Sequence, residues 1–186
     1  MQLQLAISDR RAVRDYTDQP VSEAIVESLI KAATMAPSAM NEQPWAFVVI
    51  QDKALLKQYS DRAKVLCTET VGLGSAHEKM GEMLSNPSFN IFYDSGTLIV
   101  IWAKPIGQHP DWDCCLAAQN LMLAAHDMGL GSCPIGLAWP LFGQAVVKSE
   151  INVPRDYSAV MPIIVGYPHG EVTGIERKEA EILCWR

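Results

Sequence analysis

Three arginines stand within five positions near the N-terminus, Arg10-Arg11-Ala12-Val13-Arg14, in a chain that is otherwise acidic, with 15 Lys+Arg against 21 Asp+Glu and a formal charge of −6. Guanidinium forks match the oxygens of a phosphate, and their charge survives partial burial. Arg10 and Arg14 are four apart, so a helix would set them on one face. The competing reading is a solvated helix face paired with Asp9 and Asp15. A second segment, Pro37-Ser38-Ala39-Met40-Asn41-Glu42-Gln43-Pro44-Trp45, is stiffened by its prolines. Asn41 and Gln43 carry amides that both donate and accept, as the edge of a flat heterocycle such as a flavin or a purine requires. Ordinary turn chemistry, with Ser and Asn satisfying their own backbone, is the alternative.

The third segment is Gly129-Leu130-Gly131-Ser132-Cys133-Pro134-Ile135-Gly136-Leu137. It is not a dinucleotide fingerprint, because Pro134 stands where the third glycine belongs and a helix rather than a strand precedes it. It lacks the Gly-Lys-Ser/Thr ending of a phosphate loop, and Gly72-Leu73-Gly74-Ser75-Ala76-His77 also lacks the third glycine. Pro134 to Leu137 can instead expose backbone beside a ring, with Gly136 removing the side chain that would block close approach. Helix termination followed by a crossover is the competing local reading. Other chemistry is thinly represented. His77, His109, His126 and His169 have no metal-ligand spacing, no Gly-x-Ser-x-Gly elbow occurs, and the eight methionines read as core filler.

Elements must position these segments. With 186 residues, of which 49% are hydrophobic and 19% charged, the chain is expected to fold as one domain over residues 1–186. The composition excludes disorder as the main state and a general nucleic-acid binder. The longest strongly apolar run, Thr97 to Ala103, is far short of the ~20 residues of a spanning helix, and the first residues do not read as an export signal. Five cysteines, an odd number without Cys-x-x-Cys, point to reduced thiols and a cytoplasmic location.

A first helix capped by Ser8 or Asp9 is expected to run into Arg14. A second begins at the Ser22 cap and carries Ile25, Leu29, Ile30 and Ala33 at helical spacing, with Pro37 as its stop. Strands are expected over 46–50, 97–103 and 159–165, with a last one over 181–185. Ala54 to Arg62 reads as a helix, and the stretch 64–90 mixes helix and loop signals. The clearest helix starts at an Asp111 or Asp113 cap and ends at Gly129. Gly131 to Phe142 reads as a loop, and Gly143 to Ser149 as a short helix. The result is a three-layer α/β/α domain of α+β type with a mixed, mainly antiparallel sheet.

Taken in order, Arg10-Arg11-Ala12-Val13-Arg14, Pro37-Ser38 through Asn41, Gln43-Pro44-Trp45, the helix from Leu116 to His126, Gly129 to Ser132, Pro134-Ile135-Gly136 and Gly166-Tyr167-Pro168 resemble the nitroreductase family of FMN enzymes. The resemblance implies an α+β homodimer with FMN at the subunit interface, and a C-terminal segment, about 170–186, extending along the dimer. It implies that Arg10, Arg11, Ala12 and Arg14 hold the phosphate and ribityl chain; the family often carries Ser where this chain has Ala12. It implies that Ser38, Ala39, Met40, Asn41 and Gln43 reach the flavin of the partner subunit. Pro134, Ile135, Gly136 and Leu137 would lie against the ring, and Arg177 or Lys178 would complete the phosphate site. With a flavin doing the chemistry, no catalytic dyad is needed. The implied activity is ping-pong reduction of nitroaromatics, quinones or similar small conjugated acceptors by NADH or NADPH. A dehalogenase or flavin-modifying relative and a non-catalytic flavin binder are the alternatives.

Overall fold

The run Thr97–Ala103 is a strand (β2) with every residue buried, which requires both faces of its sheet to be covered. The computed structural model describes residues 2–70, 75–172 and 175–186. Gly72 and Gly74, and the side chain of His77, lie outside what is described. Four strands, β1 (Trp45–Ile50), β2, β3 (Gly131–Pro134) and β4 (Ser158–Gly166), stand in the order β1-β2-β4-β3, each pair antiparallel. The expected parallel component is confined to an isolated bridge between Ala12 and Ser132.

Side-chain alternation along β2 divides the interior into two cores. Leu98, Val100 and Trp102 face α3 (Lys53–Thr70), through Leu56, Tyr59 and Ala63, together with α6 (Trp139–Phe142) and α7 (Ala145–Glu150). Ile99, Ile101 and Ala103 face α2 (Glu23–Ala33) and α5 (Pro110–Asp127), through Leu29, Ala117, Leu121 and Ala125. These are the three layers the sequence implies. Ser22 caps α2, its side chain accepting from the Ile25 N–H at 3.4 Å. Helix α5 begins earlier than its acids suggested: its cap is His109, two residues before Asp111 and four before Asp113, with Pro110 at its first position.

Several expectations are corrected. The first helix, α1 (Leu3–Asp9), closes before the arginines instead of running into Arg14, and Arg10 has φ −56° and ψ 129°. Gly131–Pro134 is not loop but strand, followed by a 3₁₀ turn at Gly136–Ala138 and by α6. Helix α3 continues through Thr70, and α4 (Ser75–Ser85) fills part of the stretch with mixed signals. The segment 181–185 forms no strand; Ile182, Leu183 and Trp185 are 61%, 89% and 87% exposed. Among the described residues it pairs with neither outer strand of the sheet, β1 or β3.

The Gly166-Tyr167-Pro168 motif acquires a packing explanation. A Cβ on Gly166 would stand 2.7 Å from the Tyr16 ring, so only glycine lets that ring lie against β4. The Tyr16 hydroxyl donates to the Val13 carbonyl at 2.7 Å, and the Thr17 N–H to the Tyr167 carbonyl at 2.9 Å. The chain after the arginines is thereby fastened to the sheet. Gly166→Ala is expected to destabilise the fold by about 1–3 kcal/mol through overpacking, measured by urea denaturation.

Candidate functional site

The segment 10–14 runs beside β3, not along a helix. The Val13 N–H donates to the Ser132 carbonyl at 3.1 Å, and Ala12 forms the parallel bridge to the same residue. Close approach depends on Gly131, because a Cβ there would meet three Val13 side-chain atoms at 2.7–2.8 Å. Extended chain alternates its side chains. Val13 turns in and is buried, whereas Arg10 is half-buried and Ala12 and Arg14 are exposed. Arg10 and Arg14 open onto two different cavities, Arg10 together with Arg11 and Arg14 beside Pro134 to Leu137. Both cations act on the Cys133 thiol, opposing the upward push that burial gives it.

Arg10 lies in a field of like charge. Burial first, then the neighbouring Arg177 and Arg11 cations, pull its guanidinium below the ordinary value. The tail cation acting on Arg10 is thus Arg177, whereas Lys178 is exposed and makes no ion pair among the described residues. Arg10, Arg14 and Arg177 likewise lack an ion pair with any described carboxylate. Converging cations without counter-charge suit an anion with more than one negative charge.

Arg11 differs from its neighbours. Its Nη1 donates to the carbonyls of Ser8 and of Arg10, the latter at 2.8 Å, and its Nη2 donates to the Ile175 carbonyl at 3.3 Å. Its Nε is buried without a partner among the described residues.

On the Arg14 side a cavity of about 340 Å³ is lined by Arg14, Met80, Met83, Ile91 and Tyr93, with Pro134, Ile135, Gly136 and Leu137 as its shelf. The shelf is held from beneath. The Ile135 N–H donates to the Pro162 carbonyl at 2.8 Å, the Cys67 thiol donates to the Leu137 carbonyl at 3.3 Å, and the Trp139 indole donates to the Ala159 carbonyl at 2.7 Å. Gly136 is exposed, with nothing within 4 Å of the place a Cβ would take. The Arg14 guanidinium carbon lies 5.9 Å from the centroid of the Tyr93 ring. Sequence reasoning did not find Met80 or Met83, within the stretch that gave mixed signals, nor Ile91 or Tyr93 just after it.

The loop over 38–43 stands elsewhere and lines neither this cavity nor the larger one, of about 440 Å³, beside Arg10 and Arg11. Met40, Asn41 and Gln43 have φ of 50°, 58° and 49°, left-handed values that commonly mark functional positions. What enforces them is local bonding. The Asp113 carboxylate accepts the Ala39 N–H at 3.2 Å, Ser38 Oγ accepts the Gln43 N–H at 3.0 Å, and the Gln43 amide donates to Asn41 Oδ1 at 3.2 Å. Asp113 is therefore the anchor of this loop and not a helix cap. Met40 projects outward, 92% exposed.

A bare backbone shelf next to unneutralised arginines, on a three-layer α+β scaffold, defines a class of protein. The chain matches the nitroreductase family over residues 7–167 and belongs to it. It is 31% identical over 170 residues, 89% of this chain and 84% of the relative, to an Archaeoglobus fulgidus protein described as "Putative NADH dehydrogenase/NAD(P)H nitroreductase". It is 26% identical to the iodotyrosine deiodinase of Nematostella vectensis, covering 95% of this chain and 71% of that one. Among solved structures, an FMN-dependent nitroreductase from Clostridium difficile R20291 superposes with a TM-score of 0.84 at 25% identity, covering 97% of each chain. Arg177 lies beyond the matched residues, so its place beside Arg10 is visible only in the fold.

Proposed function

We propose that the chain is an FMN-dependent oxidoreductase that takes electrons from NADH or NADPH and passes them to uncharged conjugated acceptors such as nitroaromatics and quinones. The observation that carries this reading is that Arg10, beside Arg177, and Arg14, beside the open shelf at Gly136, lack carboxylate partners among the described residues. The residues fit the group. Arg10 and Arg177 would meet the phosphate, Ala12 would offer backbone to the ribityl chain, and Pro134 to Leu137 would support the ring.

Bound FMN would accept a hydride from the nicotinamide and deliver it to the second substrate. The chain's own contribution is binding, orientation and exclusion of water. Arg14, beside the shelf, would hold the edge of the ring, where negative charge gathers on reduction. Met80, Met83, Ile91 and Tyr93 would form an apolar wall that admits a flat molecule over the shelf. One open face must serve donor and acceptor in turn, which makes the cycle ping-pong.

The purified chain is expected to be yellow, or to turn so with FMN, and NADH or NADPH is expected to bleach it until a nitroaromatic or quinone restores the colour. A chain that stays colourless with FMN contradicts the reading, and flavin that binds but is reduced by neither nicotinamide favours a non-catalytic binder.

The deiodinase relative gives a second reading, reductive dehalogenation of an aromatic amino acid. Among the described residues lining the cavity, Arg14 supplies the only charged side chain, which offers little to a zwitterion's two ends. Turnover of a halotyrosine with reduced flavin, against turnover of a nitroaromatic with NAD(P)H, separates the two.

The homodimer belongs to the same proposal. Trp112 and Leu116, one turn apart on α5, are 62% and 46% exposed, and the apolar tail residues find no cover in their own chain. A partner on these surfaces would bring its loop 38–43, Met40 foremost, to the flavin. Holo-protein is expected to sediment as a dimer at micromolar concentration, and a monomer there contradicts this assembly.

A further inference from the structure

We infer that Arg11 is a positioning residue that clamps the C-terminal segment so that Arg177 reaches the phosphate side of the site, and is not itself a phosphate ligand. This rests on the flavin reading above. The segment after Gly170 has no helix or strand of its own among the described residues, and Ile175 to Arg186 is exposed throughout. Such a chain is free to move unless something ties it down. Arg11 supplies a tie. One planar guanidinium spans the carbonyls of Ser8 and Arg10, at the close of α1, and the carbonyl of Ile175, which lies 164 residues away in sequence.

Two consequences follow from that geometry. Three of its five N–H donors are spent on main-chain acceptors, and a fourth, Nε, is buried rather than turned to solvent. Ile175 is also only two residues from Arg177, so fixing its carbonyl restricts where the Arg177 cation can stand. The mutual effect of Arg10 and Arg177 agrees with that placement, since like charges approach only where the backbone holds them. The clamp thus holds together two cations that repel each other until an anion neutralises both.

The test uses the full-length chain as wild type, Arg11→Ala, Arg11→Lys, Arg177→Ala and the double variant Arg11→Ala/Arg177→Ala. FMN affinity is titrated at several salt concentrations, and apo-protein is digested briefly with trypsin, with cleavage after Lys178 followed by mass spectrometry. Arg11→Ala and Arg177→Ala are each expected to weaken FMN about tenfold, the loss of one charge-assisted contact. The double variant is expected to be no weaker than either single one, because both remove the same contact. Arg11→Lys keeps the charge but cannot form the planar three-carbonyl fork, so it is expected to resemble Arg11→Ala. Cleavage after Lys178 in the apo-protein is expected to be several times faster in both Arg11 variants.

Losses that multiply in the double variant, rescue of affinity by lysine, or unchanged cleavage would each overturn the clamp, the first two in favour of direct contact with phosphate. A wild-type chain that takes up no FMN would overturn the flavin reading instead, and the digestion of apo-protein would still decide whether Arg11 ties down the tail.

Discussion

Arg10→Ala combined with Arg14→Ala is expected to weaken FMN binding by about 3–6 kcal/mol, a loss of at least about a hundredfold, because each guanidinium would contribute a charge-assisted contact of about 1.5–3 kcal/mol. The fold is expected to survive the change. Arg14 is exposed and Arg10 half-buried, neither makes an ion pair with a described carboxylate, and the bonds that fasten the segment to β3 belong to the backbone of Val13 and to Ala12. Removing two cations from a cluster of like charge also relieves repulsion in the apo-protein. Circular dichroism should therefore match the wild type while flavin fluorescence is no longer quenched on titration. Unchanged flavin retention would refute the assignment of these side chains. Affinity in the wild type should fall steeply with salt, and the double variant should show a shallower slope, because it has fewer charges to screen.

Phe142→Ala is expected to have the largest effect on stability, about 3–5 kcal/mol. Phe142 is fully buried, edge-on to Tyr59 (centroids 5.9 Å apart, planes at 89°) and to Trp102 (6.0 Å, 84°). Its removal forfeits transfer energy, leaves a cavity, and breaks two aromatic contacts of about 0.5–1.5 kcal/mol each. For a chain of this size, Tm should drop by roughly 10 °C. The location links stability to function. Phe142 closes α6, which follows the 3₁₀ turn Gly136–Ala138 directly, so the shelf loses support from beneath. Flavin should bind less tightly even below the melting range. Calorimetry with and without FMN measures both effects, and a loss below about 1 kcal/mol would mean that the core collapses around the gap.

What the sequence disclosed, and what it concealed, has physical causes. β2 was legible to the residue, because six consecutive apolar positions after Thr97 suit a strand covered on both faces. Ser22 was legible because capping is local chemistry. β3 was not, since Gly-Ser-Cys-Pro has the composition of a turn and becomes a strand only by pairing with β4. The arginine segment shows how one spacing is compatible with two elements. Positions 10 and 14 lie on one side in a helix by its 3.6-residue period, and in extended chain because their separation is even.

Helix α3 was cut short because Tyr59, Ala63 and Cys67 keep its inner face while polar residues lie between them. The cavity wall from α4, Ile91 and Tyr93 escaped for the same reason, as no local motif marks it. That Arg177 acts on Arg10 is a matter of tertiary contact, and no spacing rule encodes it.

The central claim is that converging guanidinium groups recognise the phosphate of a flavin mononucleotide. Titration of the apo-protein with FMN and with riboflavin, which has the same ring and no phosphate, tests it most directly. FMN is expected to bind at least about a hundredfold more tightly at low salt, with the gap narrowing as salt rises. Equal affinity for the two ligands would contradict the account.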